Sequence, residues 1–416
     1  MKNRTNTRRC GRTYNVLSAK TLILAGFAVI IALGISSLAL HTRTAATQEL
    51  DKNMPTLKGD AAIDLLKKDK TYGSLEEAIA EATKGDNPEA VVKLTAPDAR
   101  TNDFFGTSVA ISGDTLIVGA SQAREGNGGT LRGAAYIFIR NGAGWSFQQK
   151  LTGDGSGGPD GFGVGVAISG DTVVVAAPDE DLGDDYDGVA YVFVRNGTTW
   201  SLQKKLTPAD TPLVEGEGWY QGSVAISGDT ILVGSQGLLE FSDHETMVHV
   251  FVREGTTWTP QAVLTSIDEG QDVRFGRSVA ISGDIAAVGD PYIGGGTPHL
   301  ESAYIFVRCG TTWTRQQRLT PNEGPGDRHF GGSVAISGST VIIGAEGDRP
   351  TPINQQGAAY IFVSDGTTWT QQQKLTANDS GQSSRFGLSV AIMGDTAIVG
   401  KPTHATEPFN QGFAFV

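Results

Sequence analysis

A unit of about 55 residues recurs six times along this chain, and no other feature restricts its fold as tightly. The pair Leu-Thr returns at Leu94, Leu151, Leu206, Leu264, Leu319 and Leu375, at intervals of 57, 55, 58, 55 and 56 residues. The phrase Val-Ala-Ile-Ser, or a near variant, returns from Val109, Val166, Val224, Val279, Val334 and Val390. Tryptophan returns at Trp145, Trp200, Trp258, Trp313 and Trp369. Landmarks sharing one period describe an array whose units bury their faces on their neighbours.

Each unit holds four strand candidates. The first is Gly-x-Ser-Val-Ala-Ile-Ser, as at Gly106–Ser112, and the second is Thr-Leu-Ile-Val-Gly-Ala, as at Thr115–Ala120. A Ser-Gly-Asp turn joins them, with glycine supplying the positive φ that a two-residue hairpin demands. The third strand is Ala190–Arg195, and the fourth follows Asn196-Gly197 and runs Trp200–Leu206. Strands one and two are apolar without strict alternation, as expected of a sheet covered on both faces. Four antiparallel strands per unit describe the blade of a β-propeller.

The sixth unit reaches Gly412-Phe413-Ala414-Phe415-Val416 with only three strands used. Its fourth is expected from the other end of the repeats, as Val91-Val92-Lys93-Leu94-Thr95, which would close a ring and remove the sheet edges. The fold expectation is thus all-β: a six-bladed β-propeller of four-stranded antiparallel blades over residues 89–416, closed by an amino-terminal strand. An open stack of hairpins is the competing reading.

The charge is uneven. The chain carries a formal net charge of −12, yet residues 1–45 hold seven basic residues and no acid. The remainder has 26 basic against 45 acidic residues, a net charge of −19. An acidic body disfavours nucleic acid, which selects basic surfaces. Two cysteines cannot supply a disulfide framework. Residues 1–20 read as a basic cytoplasmic tail, and residues 21–40 are 20 uncharged residues. That length matches a hydrocarbon core of about 30 Å, and the basic flank keeps the amino terminus inside. Residues 21–40 are therefore expected to be a transmembrane signal-anchor or a signal peptide. The body would lie outside the cytoplasm, at the cell surface or in the periplasm, and would be secreted if the segment is cleaved. In residues 41–88, Ser74 with Glu77 forms a capping box ahead of an apolar stripe, so a helical stalk is expected there.

Phe-Gly opens the units at Phe105-Gly106, Phe162-Gly163, Phe275-Gly276, Phe330-Gly331 and Phe386-Gly387. Gly119-Ala120, Ala177-Pro178, Gly289-Asp290-Pro291 and Gly344-Ala345 follow the second strands. In these residues the chain resembles the FG-GAP repeat, the blade unit of the integrin α-subunit head and of exported bacterial propellers. The resemblance implies extracellular adhesion or ligand binding. It departs in two places. The third unit has Tyr220-Gln221-Gly222 in place of Phe-Gly, and Ser112-Gly113-Asp114 and its counterparts replace the family's Asp-rich calcium loop. One acid cannot supply the six or more oxygens that calcium takes.

In a propeller the 4→1 and 2→3 connections share one end of the blades. Here they are long and variable, whereas the turns at the other end are short, so binding is expected on the loop end. Trp219 and Tyr220 lie in the longest 4→1 connection, where they either pack under the loop or stack on a sugar or anchor a protein partner. With Asp154 and Asp160 in another such connection, they are the candidate residues of the ligand-binding face. The loop holding Asp179, Asp181, Asp184, Asp185 and Asp187 could gather carboxylates around calcium, or be a solvated acidic loop. Asp98, Asp268, Asp327 and Asp379 read as turn formers bonding their own backbone. The repeated tryptophans read as outer-strand packing residues, and Arg140, Arg195, Arg253 and Arg308 as partners of neighbouring blades' acids. No catalytic constellation appears among the six histidines, so no enzymatic activity is expected. The leading function is a protein- or glycan-binding adhesion module. A sialidase-like glycan-processing enzyme and a purely structural envelope protein are the alternatives.

Overall fold

The computed structural model describes residues 93–416 except 125, 127–128, 143, 155–157, 181–187, 208–209, 211–218, 237–245, 267–273, 292–300, 324–327, 349–355, 378–384 and 403–412. The basic tail, the apolar segment 21–40 and the stalk lie outside the described residues. Among the described residues, no helix is long and apolar enough to cross a membrane.

Among the described residues, twenty-three strands form six antiparallel sheets, which are the six blades of a β-propeller. Blade 1 is β1 (Phe105–Ser112), β2 (Thr115–Ala120), β3 (Ala134–Asn141) and β4 (Gly144–Leu151). Blade 2 is β5 (Val166–Ser169), β6 (Thr172–Ala177), β7 (Val189–Asn196) and β8 (Thr199–Leu206). Blade 3 is β9 (Trp219–Ser227), β10 (Thr230–Gln236), β11 (Met247–Glu254) and β12 (Thr257–Leu264). Blade 4 is β13 (Ser278–Ser282), β14 (Ile285–Asp290), β15 (Ser302–Cys309) and β16 (Thr312–Leu319). Blade 5 is β17 (Phe330–Ser337), β18 (Thr340–Ala345), β19 (Ala358–Ser364) and β20 (Trp369–Leu375). Blade 6 is β21 (Ser389–Met393), β22 (Thr396–Lys401) and β23 (Phe413–Phe415). Its sheet has three strands among the described residues, and Lys93–Thr95 are not in a strand. The expected closing pair is not among the described strands, since Val91 and Val92 lie outside the described residues.

The Ser-Gly-Asp turns and their two variants, Ser337-Gly338-Ser339 and Met393-Gly394-Asp395, form as the glycines predict, with φ between 56° and 60° at Gly113, Gly170, Gly228, Gly283, Gly338 and Gly394. In each of blades 1–5 the third and fourth strands slip register at one place, as between Val192 and Phe193. Such a bulge raises the local twist and re-aims the outer strand.

The apolar core lies between blades. One cluster joins Ile117, Ile137 and Leu151 of blade 1 to Phe162, Val173 and Tyr191 of blade 2. Equivalent clusters join blades 2 and 3, 3 and 4, 4 and 5, and 5 and 6. The Phe-Gly signature lies in these junctions. Phe162 meets Tyr191 edge-to-face at 5.3 Å, as do Phe275 and Tyr304 at 5.5 Å and Phe330 and Tyr360 at 5.3 Å. Gly119 abuts the next blade so closely that a Cβ would lie 2.0 Å from the Gly163 carbonyl oxygen. That oxygen accepts from Ser108 Oγ at 2.8 Å. The same serine-to-glycine bond recurs from Ser223 to Gly276, Ser278 to Gly331 and Ser333 to Gly387.

The tryptophans pack as expected and also bond. Nε1 of Trp200, Trp258, Trp313 and Trp369 donates to Gln148, Gln203, Gln261 and Gln316 of the preceding blade at 2.8–3.0 Å. The arginines correct the expectation. Arg195, Arg253 and Arg308 pair with Asp171, Asp229 and Asp284 of their own blade, not with a neighbour's acid. What each takes from the preceding blade is a hydroxyl, through Nη1 to Thr115, Thr172 and Thr230 at 2.7–3.0 Å. Each guanidinium also lies over its own tryptophan, 5.1–5.3 Å from the ring centroid.

Candidate functional site

Both kinds of long connection leave the blades at the end opposite the Ser-Gly-Asp turns. The side chains at that end are organised by a cross-strand pair. Tyr136 stands opposite Lys150, Tyr191 opposite Lys205, Tyr304 opposite Arg318 and Tyr360 opposite Lys374. Residues opposite each other on paired strands are close enough for the cation to lie over the ring. The three lysine nitrogens sit 5.3–5.4 Å from the tyrosine centroids. Phenol hydroxyls and ammonium groups thus converge where the connections arrive, and acids from those connections bind them.

Blade 2 has the densest such cluster. Tyr191 Oη donates to Asp154 at 2.6 Å and lies 2.6 Å from the nearer oxygen of Glu180. Lys205 Nζ donates to Asp154 at 3.2 Å and to Glu180. Glu180 is 2% exposed and Asp160 is 3% exposed. Burial, then the charge of Glu180, pushes the Asp160 carboxyl up to about 6. Burial also raises Asp179. Asp154 moves the other way, held below the usual carboxylate range by the hydrogen bond from Tyr191 and by Lys205. Burial works against the charge on Lys205, but its bond to Glu180 and its other acid contacts outweigh that and raise its pKa. The ammonium of Lys205 thus lies between Asp154 and Glu180 and compensates their charge.

Other blades vary the pattern. In blade 1, Asp98 accepts from Tyr136 at 2.8 Å and from Lys150 at 2.6 Å. Asp98 bonds its own backbone, as expected of a turn former, and in addition latches the 4→1 connection to its blade. Asp268, Asp327 and Asp379 lie outside the described residues. In blade 5, Lys374 and Arg328 hold the buried Asp348, at 2.7 and 2.8 Å. Next to them Glu346 receives Arg385 at 3.2 Å, and Glu301 accepts backbone amides of Arg328 and His329 at 2.8 Å each. Blade 3 has His249 where blades 1, 2, 4 and 5 have tyrosine, and Val263 opposite it. Burial pulls His249 down to about 4, and its Nε2 lies 3.2 Å from Ser235 Oγ.

The sequence-predicted residues therefore divide. Asp154, Asp160 and Asp179 come together at the loop end of blade 2, where a Cβ on Gly161 would lie 2.7 Å from the Asp179 carboxylate. Asp181, Asp184, Asp185 and Asp187 lie outside the described residues. Trp219 and Tyr220 are not in a loop: they open β9, opposite Gln236 and Ser235 of β10. Among the described residues, no three His, Cys, Asp or Glu side chains are grouped as a metal site. Sequence reasoning missed Glu180, Tyr191 and Lys205. The signal was there, in the tyrosine and the basic residue that recur at fixed places in strands three and four of units 1, 2, 4 and 5.

Six antiparallel blades with signature glycines at every described junction define a repeat-built β-propeller. The chain belongs to the FG-GAP repeat family, whose model matches residues 89–138, 145–193, 258–306, 313–362 and 369–416. The unmatched stretch, 194–257, holds most of blade 3, with Tyr220-Gln221-Gly222 and His249. No curated protein matches the chain. FG-GAP β-propellers commonly serve as protein-binding modules.

Proposed function

We propose that this propeller is an adhesion or ligand-binding module that works outside the cytoplasm and takes a protein or glycan on its loop end. The amino-terminal segment 21–40 would export it and hold it at the membrane. The observation that carries the reading is the contrast between the two ends. One carries six Ser-Gly-Asp-type turns of nearly identical φ, and the other carries connections of different length and composition. Variable loops on a rigid scaffold are where recognition concentrates. The acids nearest the blades are committed to Tyr191, Lys205, Lys150 and Lys374, so ligand contact falls to the outer loops. This reading makes the protein a binder and not a catalyst.

The test is binding of the full-length protein to glycan and surface-protein arrays, beside variants whose residues 181–187 or 211–218 are replaced by Gly/Ser linkers of equal length. Loss of binding in at least one variant is expected. Unchanged binding in both, or no binding by the parent, would remove the proposal. Melting with calcium and with chelator decides the cation at residues 179–187, because a site present only in the folded state raises the melting temperature.

A further inference from the structure

Each Phe-Gly pair sits at the centre of a four-residue turn where a 4→1 connection reaches its blade. In blade 4 the turn is Arg274-Phe275-Gly276-Arg277, closed by the Arg277 amide donating to the Arg274 carbonyl at 3.0 Å. Gly276 takes φ 85° in third place, as a type II turn requires, and the ends of such a turn lie within about 7 Å of each other. The same bond joins Thr107 to Phe104, Val164 to Gly161, Gly332 to His329 and Leu388 to Arg385. Of these turns, that of blade 4 alone has a cation at both ends.

Those two cations differ from every other described arginine. The rest face an acid, a carbonyl or a hydroxyl of the protein. Arg274 and Arg277 have no such partner among the described residues, although Arg274 is half-buried. Burial, then the charge of Arg277, holds the Arg274 guanidinium below its usual range. At the turns of blades 5 and 6 the cations are answered: His329 and Arg385 both lie against Glu346, at 3.6 and 3.2 Å. Glu346 stands two residues after Gly344. Two residues after Gly234, in the blade preceding Arg274, stands the neutral Gln236. Two guanidiniums that share a turn, repel each other and pair with no described acid are suited to an anion from outside the protein.

We propose that Arg274 and Arg277 bind the carboxylate of an acidic sugar at the loop end of blade 4. The proposal rests on the loop-end reading above and adds to it a ligand class and a named contact. The guanidinium fork matches a carboxylate in two parallel hydrogen bonds. A polyanion is disfavoured, because the chain beyond residue 45 carries a net charge of −19 and would repel it. A protein partner is disfavoured as well. None of the exposed large apolar side chains among the described residues belongs to blades 3, 4 or 5, so the pair has no apolar anchor beside it.

The test uses the full-length protein in non-ionic detergent, beside Arg274→Gln, Arg277→Gln and the double variant. On an array the parent is expected to bind glycans ending in glucuronate and not those ending in glucose, less tightly as salt rises. Each single variant is expected to lose roughly tenfold or more in affinity, since a charge-assisted bond is removed. Soluble glucuronate should raise the melting temperature of the parent and not of the double variant. An equal rise with acetate overturns the sugar, as does tighter binding of an acidic peptide. Without ligand the double variant should melt no lower than the parent, because the two charges repel and fasten nothing. A lower melting temperature overturns the proposal, since the arginines then hold the fold through acids of the adjoining connection. Undiminished glucuronate binding by the double variant overturns it too and leaves the loop-end reading standing. A parent that takes neutral glycans or proteins but no carboxylate overturns this site alone, and one that takes nothing overturns both.

Discussion

The two ends of the blades grow from the same repeat, yet they are fastened in different ways. At the turn end Arg195, Arg253 and Arg308 make one arrangement three times: tryptophan beneath, aspartate beside, threonine of the preceding blade ahead. Between blades 4 and 5 its polar members change together while Trp369 stays. Ile285 replaces the threonine of blade 4, while Ser339 and Ser364 replace the aspartate and arginine of blade 5. At the loop end the described blades differ. Blade 1 uses one acid, Asp98; blade 2 surrounds Lys205 with Asp154 and Glu180; blade 5 gives Asp348 to Arg328 and Lys374; blade 3 has His249 beside Ser235. A turn of fixed length presents the same atoms to each neighbour, so one solution can be copied. A connection of varying length brings a different acid to each blade, so each cluster is neutralised separately.

That contrast predicts unequal costs for removing one cation. Lys205→Met leaves Glu180 buried with no positive partner and should lower unfolding free energy by about 3–5 kcal/mol. Arg253→Met, at a half-exposed ion pair on a tryptophan, should cost about 1 kcal/mol. Denaturant unfolding of the full-length chain measures both, and equal losses would erase the distinction. A smaller effect sharpens it through pH. The Asp160 carboxyl is raised from 3.8 to about 6. Its contribution is therefore fully present below pH 3.8 and lost as pH rises through 6. Asp160→Asn should be more stable than the parent above pH 6, by on the order of 2 kcal/mol, with the gap closing towards pH 4. His249 runs opposite, because its pKa falls from 6.5 to about 4. Its contribution is present above pH 6.5 and lost as pH falls towards 4, so His249→Phe should flatten that acid loss in thermal melts. The smallest effect comes from installing the missing arrangement. Ile285→Thr with Ser339→Asp and Ser364→Arg should add about 0.5–1 kcal/mol. No gain would show that blade 5 is fastened differently.

The blades were legible in the sequence because period and turn chemistry are local. Glycine after Val-Ala-Ile-Ser forces the hairpin, and apolar strands on both sides of it require covered faces. Trp219 and Tyr220 were misplaced because unit 3 carries its glycine one residue late, at Gly222, and β9 starts earlier than the repeat suggests. Asp154 and Asp160 were singled out as acids in a long connection. That one is lowered and the other raised could not be read, since the difference depends on which of them reaches Tyr191 and Lys205.

By itself the sequence determined the number of repeats, the strands within each and the family, because spacing along a chain sets hydrogen-bonded turns and buried stripes. Only the tertiary structure decided which side chains meet between blades. It paired the arginines with acids of their own blade and hydroxyls of the one before, and set Glu180 beside Lys205. Those contacts join residues 50 or more positions apart in many cases, and their energy comes from burial and charge compensation, which no local pattern records.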